Sequence, residues 1–314
     1  MKACFSTEAV DLNHQMPNRN KRESKYYWDE LYRLTAAAGF NSIEVPYEPK
    51  WDFGGRSGIP RTLRSIKVKY GTMQRYMAEL KKTGIEEISS VHLDPSLFCQ
   101  GNLEMFLGAF GHFGEEAIQF AKEAGAENVI LTASPCISAV KKLMEGTLQG
   151  EEEFLSRSAR TIDNLAVMAK EEGLKLCLKN EYWGLLRGEE ILRFMNQCRE
   201  EIYLDADTAH LQIAGVDTAK FIIANKAKIG AVHFTDTGFT DCQEAYLQPM
   251  PEYPAKAATK VFCDIGEGSV DFPVILKALK DTGYDGSVIY NCKDSYDVYR
   301  SLLRTRSYMN QLSE

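Results

Sequence analysis

Ionisable and amide side chains recur in this sequence where short apolar runs end. SVHLD supplies His92 and Asp94, and LKNEYW supplies Lys179, Asn180 and Glu181. LDADTAH supplies Asp205, Asp207 and His210, VHFTD supplies His233 and Asp236, and VIYN supplies Asn291. These are the parts needed for proton transfer next to a carbonyl: a base, an electrophile for the developing oxyanion, and groups that fix hydroxyls. Any one of them reads equally well as a helix cap or a loop tie. Asp207, His210 and His233 together are harder to dismiss, because separate strand ends would have to supply imidazole and carboxylate by coincidence. One shared site is the simpler account.

Positioning them requires strands that converge. Candidate strands lie at 2–6, 42–45, 85–92, 128–132, 174–181, 202–207, 229–235 and 287–291. Between them run stretches of helical periodicity at 24–38, 72–83, 115–124, 151–172, 189–198, 218–226 and 272–282. Gly39, Gly84, Gly125, Gly173 and Gly283 stand where helix C-termini want glycine. Eightfold β–α alternation with right-handed crossovers predicts an α/β fold, a (β/α)8 TIM barrel, with a doubly wound sheet as runner-up. No linker or composition break divides residues 1–314, so one domain is expected. The long segments 48–67 and 236–264 each follow a strand, which in a barrel places them at the C-terminal mouth. The amphipathic stretch 295–311 is expected to close beneath the last strand.

Composition narrows the function. The 44 acidic residues outnumber 37 Lys and Arg, giving −7 at neutral pH, which repels phosphate backbones and argues against nucleic-acid binding. No apolar run approaches the length of a membrane span. The opening residues carry Lys2 and Glu8 and lack an apolar core, so export is not indicated and a cytoplasmic location is expected. The eight cysteines form no CxxC pair and read as reduced thiols. No glycine-rich phosphate loop occurs, so no nucleotide cofactor is expected.

The order of motifs resembles the xylose isomerase-like TIM barrels, a group of sugar isomerases, sugar-phosphate epimerases, inosose dehydratases and endonuclease IV relatives. The resemblance spans nearly the whole chain. It is carried by IYLDADTAHLQIAG, IGAVHFTD and DIGEGSVDFPVILKALKDTGYDGSVIYN. It implies a divalent ion, manganese or magnesium, with Asp207 and His233 in the positions of a metal-binding Asp and His. The group's two metal-binding glutamates are replaced, by Lys179 at the end of strand five and Asn291 at the end of strand eight. Lys179 with Asp207 sums to zero charge before any ion arrives, which argues for a weakened or absent metal. Glu181, two residues along the strand from Lys179, could restore a carboxylate, and Asn291 a neutral oxygen. Endonuclease IV itself is excluded by five histidines on an acidic chain.

The expected roles follow. Glu181 or His210 is the general base, and Lys179 steadies the enediolate, with or without a metal on Asp207 and His233. His92, Asn180 and Asn291 bind hydroxyls, and Trp183 and Trp51 offer rings for an apolar sugar face. Lys179 could instead be ion-paired with Asp205 or Asp207, and His92 a hydrogen-bonded core histidine. Arg56 and Arg61 could meet an anionic substrate group or be solvated. The expected function is a sugar isomerase or epimerase working on a small carbohydrate. Two alternatives stand: a lyase eliminating water or an aglycone from an oxidised sugar, and a degenerate barrel that binds a sugar or a partner subunit. By analogy with the group, the segment 236–264 is the expected surface for a homo-oligomer.

Overall fold

In the computed structural model, which describes residues 1–12, 21–52, 58–99, 101–146, 149–247, 261–293, 295 and 297–313, the apolar runs become a closed ring. The strands are β1 (Lys2–Ser6), β2 (Ser42–Pro46), β3 (Glu87–Leu93), β4 (Asn128–Thr132), β5 (Lys175–Lys179), β6 (Tyr203–Asp207), β7 (Ile229–Thr235) and β8 (Ser287–Asn291). Each pairs in parallel with the next, and β8 returns to β1 through Lys2↔Ser287 to Phe5↔Tyr290. That closure identifies a (β/α)8 barrel and rules out the doubly wound sheet.

The helices are α1 (Lys25–Ala37), α2 (Leu63–Tyr70), α3 (Met73–Thr83), α4 (Leu103–Ala124), α5 (Ile137–Leu143), α6 (Gly150–Glu171), α7 (Glu190–Met195), α8 (Thr208–Ile213), α9 (Thr218–Ala224), α10 (Phe272–Asp281) and α11 (Val298–Ser313). Their origins are local. The Ser24 side chain accepts the Tyr26 N–H at the start of α1, and Tyr27, Trp28, Leu31, Tyr32 and Thr35 form its buried stripe. Trp28 is thus a core residue, its indole N–H donating to the Arg22 carbonyl at 2.6 Å.

Helices α2, α4, α5 and α8 depart from the sequence pattern, α5 and α8 standing where no helical stretch is expected. The fourth begins at Leu103 rather than near 115, capped by Asn102, because the LGAFGHFG stretch masks its periodicity. Of those glycines Gly114 serves packing: a Cβ there would fall 2.5 Å from a Leu165 methyl on α6. The segment 48–67 is not all loop either, since a capping box between Thr62 and Ser65 starts α2 inside it. Within this segment Arg61 is buried on Glu48 and the Thr7 carbonyl, so it is not a solvated charge. Arg56 lies outside the described residues, as does 248–260 of the segment 236–264. All eight cysteines are free, and no described helix is long and apolar enough to cross a membrane.

Inside the ring, Cys4, Ile130, Cys177, Ala231 and Ile289 pack together as an apolar floor. The ionisable groups stand above it, towards the strand C-termini.

Candidate active site

His233, on β7, lies between two carboxylates. Its Nδ1 is 2.6 Å from Asp205 Oδ2 and its Nε2 is 3.0 Å from Glu44 Oε1, all three residues fully buried. Burial alone would push the imidazole down. Asp205 and Glu44 outweigh it and carry the pKa up to about 10, so His233 is an imidazolium donating from both nitrogens. Glu44 in turn is opposed by burial but held down at about 2 by His233, and it also accepts from Ser6 Oγ at 2.8 Å and Ser90 Oγ at 2.9 Å. The strand register shifts between Ile43 and Glu44 and again between Leu204 and Asp205, at both carboxylates that hold the ring.

Lys179, ending β5, is buried beside Asp207, ending β6, with Nζ 3.2 Å from Oδ2. Burial opposes its charge. Asp207, Glu8, Glu181 and Asp205 overcome that and keep the ammonium protonated far above neutral pH. Asp207 is likewise held below the ordinary carboxylate range against burial, by Lys179, His210 and His233. Its Oδ1 caps α8 by accepting from the N–H groups of Ala209 and His210, while Oδ2 also accepts from Thr235 Oγ1 at 3.1 Å. Asp207 therefore combines the capping role open to it in the sequence with an ion pair to Lys179.

The third group stands just beyond β5. His210 Nε2 is 3.7 Å from Glu181 Oε1, and His210 Nδ1 accepts the Tyr182 backbone N–H at 3.0 Å. That acceptance fixes the tautomer: the ring hydrogen is on Nε2 and points towards Glu181. Of the two residues, His210 is thus the donor and Glu181 the acceptor. A satellite cluster of Tyr182, Trp183, Ala209, Val261 and Phe262 walls this side. Trp183 lies edge-on to His210, with ring centroids 6.3 Å apart, and its buried Nε1 has no hydrogen-bond partner among the described residues.

The remaining candidates divide. Asn291 is buried at the end of β8, its Nδ2 donating to Glu8 Oε2 at 2.7 Å. His92 is buried with Nε2 2.9 Å from Thr132 Oγ1, and burial keeps its pKa below the ordinary value, so it faces the barrel neutral. Asn180 spends its amide on the Asp207 backbone, accepting from its N–H at 2.8 Å and donating to its carbonyl at 3.3 Å, which braces the seam between β5 and β6. Trp51 packs into the main hydrophobic core and donates its indole N–H to Glu48 at 2.9 Å. Asp236 is an anchor, accepting from the N–H groups of Thr237, Gly266, Gly268 and Val270. Sequence reasoning passed over Glu44 and Glu8. The signal for Glu44 was a lone charge inside the apolar run SIEVP; Glu8 had none beyond its place two residues after β1.

These placements bear on a metal. As arranged, His233 has both ring nitrogens committed to carboxylates and no lone pair to offer, while Lys179 brings a positive charge to Asp207. Among the described residues no cluster of three or more His, Cys, Asp and Glu side chains is disposed to hold an ion. The donor set present does not fit a divalent cation on Asp207 and His233.

Comparison with known proteins gives one family and several relatives. The profile of the xylose isomerase-like TIM barrel family matches residues 32–308. An inosose dehydratase of Clostridium perfringens is 24% identical over 174 residues, 54% of this chain and 58% of that protein, so the chain spans little more than half the length of that relative. An inosose dehydratase of Erwinia tasmaniensis is 26% identical over 307 residues, 95% of this chain and 93% of that one. A ketose 3-epimerase of Arthrobacter globiformis is 24% identical over 276 residues, covering 86% and 79%. Among solved structures, a probable 3-DHS dehydratase from Bacillus anthracis superposes with TM-score 0.69 at 15% identity, covering 99% of each chain. A Methylomonas D-allulose 3-epimerase holding D-allulose gives 0.68 at 14%, covering 99% and 96%. The IOLI protein with a bound zinc atom gives 0.66 at 16%, covering 99% and 98%. At these identities the structures establish the fold.

Proposed function

Because this chain belongs to the xylose isomerase-like TIM barrel family, we propose that it moves a proton next to the carbonyl of a sugar or oxidised sugar, as an isomerase or epimerase. The observation that carries the reading is the buried Lys179 ammonium, fixed by Asp207 within reach of the fields of Glu181 and Glu8. A fixed cation in a dry site stabilises an oxyanion far better than the same charge in water. The substrate carbonyl oxygen takes Lys179 as its partner. Glu181 removes the proton from the adjacent carbon, and the electron pair of that C–H bond moves into the enediolate. His210 Nε2–H donates to a neighbouring hydroxyl and holds it in register.

The protonated Glu181 then has two outlets. Delivering the proton to the former carbonyl carbon, while the hydroxyl proton of the enediolate passes to the oxygen that was the carbonyl, completes isomerisation; epimerisation takes a proton on the opposite face of the original carbon from a second donor. Passing the Glu181 proton instead to a hydroxyl departing from the next carbon releases water and leaves a carbon–carbon double bond. The full-length likeness to an inosose dehydratase favours this lyase outcome as the second reading, with the same residues in the same roles. The IOLI protein, alike in fold, holds a zinc atom, and no step here passes through an ion. The deciding experiment is deuterium exchange at the carbon next to the carbonyl, followed by proton NMR in D2O with D-allulose and 2-keto-inositol as probes. Exchange is expected with the parent protein and is lost in Lys179→Met and Glu181→Gln; a parent protein that exchanges neither probe overturns the reading.

A further inference from the structure

The side of the barrel facing Glu181 holds groups to which the reaction above gives no task. β1 and β5 are diametrically opposed in the closed order of strands, and Glu8 and Glu181 each stand two residues beyond their strand. Each carboxylate has an imidazole nearby at more than hydrogen-bond distance: Glu8 Oε1 is 3.9 Å from His92 Nδ1, and Glu181 Oε1 is 3.7 Å from His210 Nε2. The mouth thus carries two glutamate–histidine pairs on opposite sides of the ring, and Lys179 feels the charge of both glutamates.

Glu8 is rigidly presented. The Ser6 side chain accepts its backbone N–H at 3.2 Å, and the next turn is tied to β2 through Thr7 Oγ1 donating to the Glu44 carbonyl at 2.9 Å. Its Oε2 accepts from Asn291 Nδ2. A carboxylate demands a donor, so this contact fixes which way the Asn291 amide points. Asn291 Oδ1 is consequently on the other side, buried, with no hydrogen-bond partner among the described residues. An acceptor sealed from water without a donor is costly, and a ligand hydroxyl removes that cost. Glu8 Oε1 and Asn291 Oδ1 are then two acceptors held by one hydrogen-bonded pair. The nearby cation, Lys293, lies 3.9 Å from both Glu8 and Asp94, so its charge is shared between carboxylates.

We infer that Glu8 and Asn291 form a diol-reading corner, in which two neighbouring hydroxyls of the substrate donate to Glu8 Oε1 and Asn291 Oδ1 while its carbonyl end lies on Lys179. This deepens the proposed reaction by naming a substrate class, an unphosphorylated polyol ketone. A phosphate or carboxylate at this corner offers acceptors to acceptors and negative charge to Glu8 and Asp94, and is rejected.

Calorimetric titration tests the corner without requiring turnover. The probes are 2-keto-inositol, whose hydroxyls run around the whole ring, D-fructose and D-fructose 6-phosphate. The parent protein is expected to bind the two free polyols and to bind the phosphate more weakly. Glu8→Gln, nearly isosteric, and Asn291→Leu should each weaken polyol binding by roughly tenfold. Where turnover is measured, Glu8→Gln should raise KM by the same factor and leave kcat within a few-fold. Unchanged affinity in a Glu8→Gln protein with parental melting behaviour overturns the proposal, as does parental binding of D-fructose 6-phosphate equal to that of D-fructose. Polyol binding that depends on Glu8 in a protein that exchanges no proton would refute the proposed reaction and uphold the corner.

Discussion

The floor of the barrel and the layer above it are built from the same strands yet follow opposite chemistry. Cys4, Ile130, Cys177, Ala231 and Ile289 pack on one another below. Two residues later along those strands stand Ser6, Thr132, Lys179, His233 and Asn291, equally buried. Because side chains alternate faces along a strand, a step of two keeps the inward direction and raises the side chain by one layer. Burial is therefore common to both layers; what differs is how its cost is met. The floor gains from excluding water, and none of its residues needs a counter-charge. The upper layer holds charges that would be intolerable singly, and they persist because His233 answers Glu44 and Asp205 while Lys179 answers Asp207. A floor residue acts through its volume, and an upper-layer residue through its partners.

The contrast is broken most severely by removing His233. In His233→Leu, Glu44 and Asp205 lose their shared cation, and stability is expected to fall by about 3–5 kcal/mol, measured by urea unfolding. A smaller loss would mean the three groups are not a single unit. Next comes Lys179→Met, for which proton exchange should drop by about 10²–10³-fold, since one electrostatic stabiliser is removed from the developing charge. Ile289→Ala, one layer down, is the counterpart. It should cost about 2–4 kcal/mol through the cavity it leaves, with exchange per folded molecule unchanged. If exchange in Ile289→Ala falls as far as in Lys179→Met, the separation of layers by role is wrong.

The pH dependence of stability sharpens the comparison, since below the thiol range the floor contributes none of it, and above that range only what burial of the Cys4 and Cys177 thiols adds. His233 has its folded pKa raised from 6.5 to about 10, so its contribution is complete below pH 6.5 and is lost as pH climbs through about 10. Glu44 is lowered from 4.5 to about 2, so its contribution is complete above pH 4.5 and disappears as pH falls through about 2. Urea midpoints across this range should therefore decline on both limbs. In His233→Leu the alkaline decline should flatten, whereas in Ile289→Ala both limbs should keep their shape at a lower midpoint. A smaller effect is expected at Gly268, where a Cβ would lie 2.1 Å from Asp236 Oδ1, against a carboxylate that also accepts the Gly268 N–H. Gly268→Ala should destabilise by about 1–3 kcal/mol through that crowding, without altering the ionisation limbs.

Much of this was legible along the chain. The eight apolar runs, the glycines closing several helices, and the polar residues at the strand ends are local signals, because alternation, capping and turn chemistry depend on near neighbours. Lys179, Glu181, Asp207, His210, His233 and Asn291 could be picked out for the same reason. Partnership could not be read this way. Nothing local tells that Asn180 turns its amide onto the Asp207 backbone, that the His210 tautomer is set by the Tyr182 N–H, or that Glu44 reaches His233 across 189 positions of sequence.

The amino-acid sequence alone thus determined the elements, their order and the types of side chain at each strand end, since period and capping are properties of short segments. The tertiary structure decided which charges neutralise which, and with them the fit of a metal and the placing of Glu8 and Glu181 on opposite sides of the ring. Those outcomes depend on ring closure and on register shifts at Glu44 and Asp205, where a displacement of one residue would turn a buried partner away from its counter-charge.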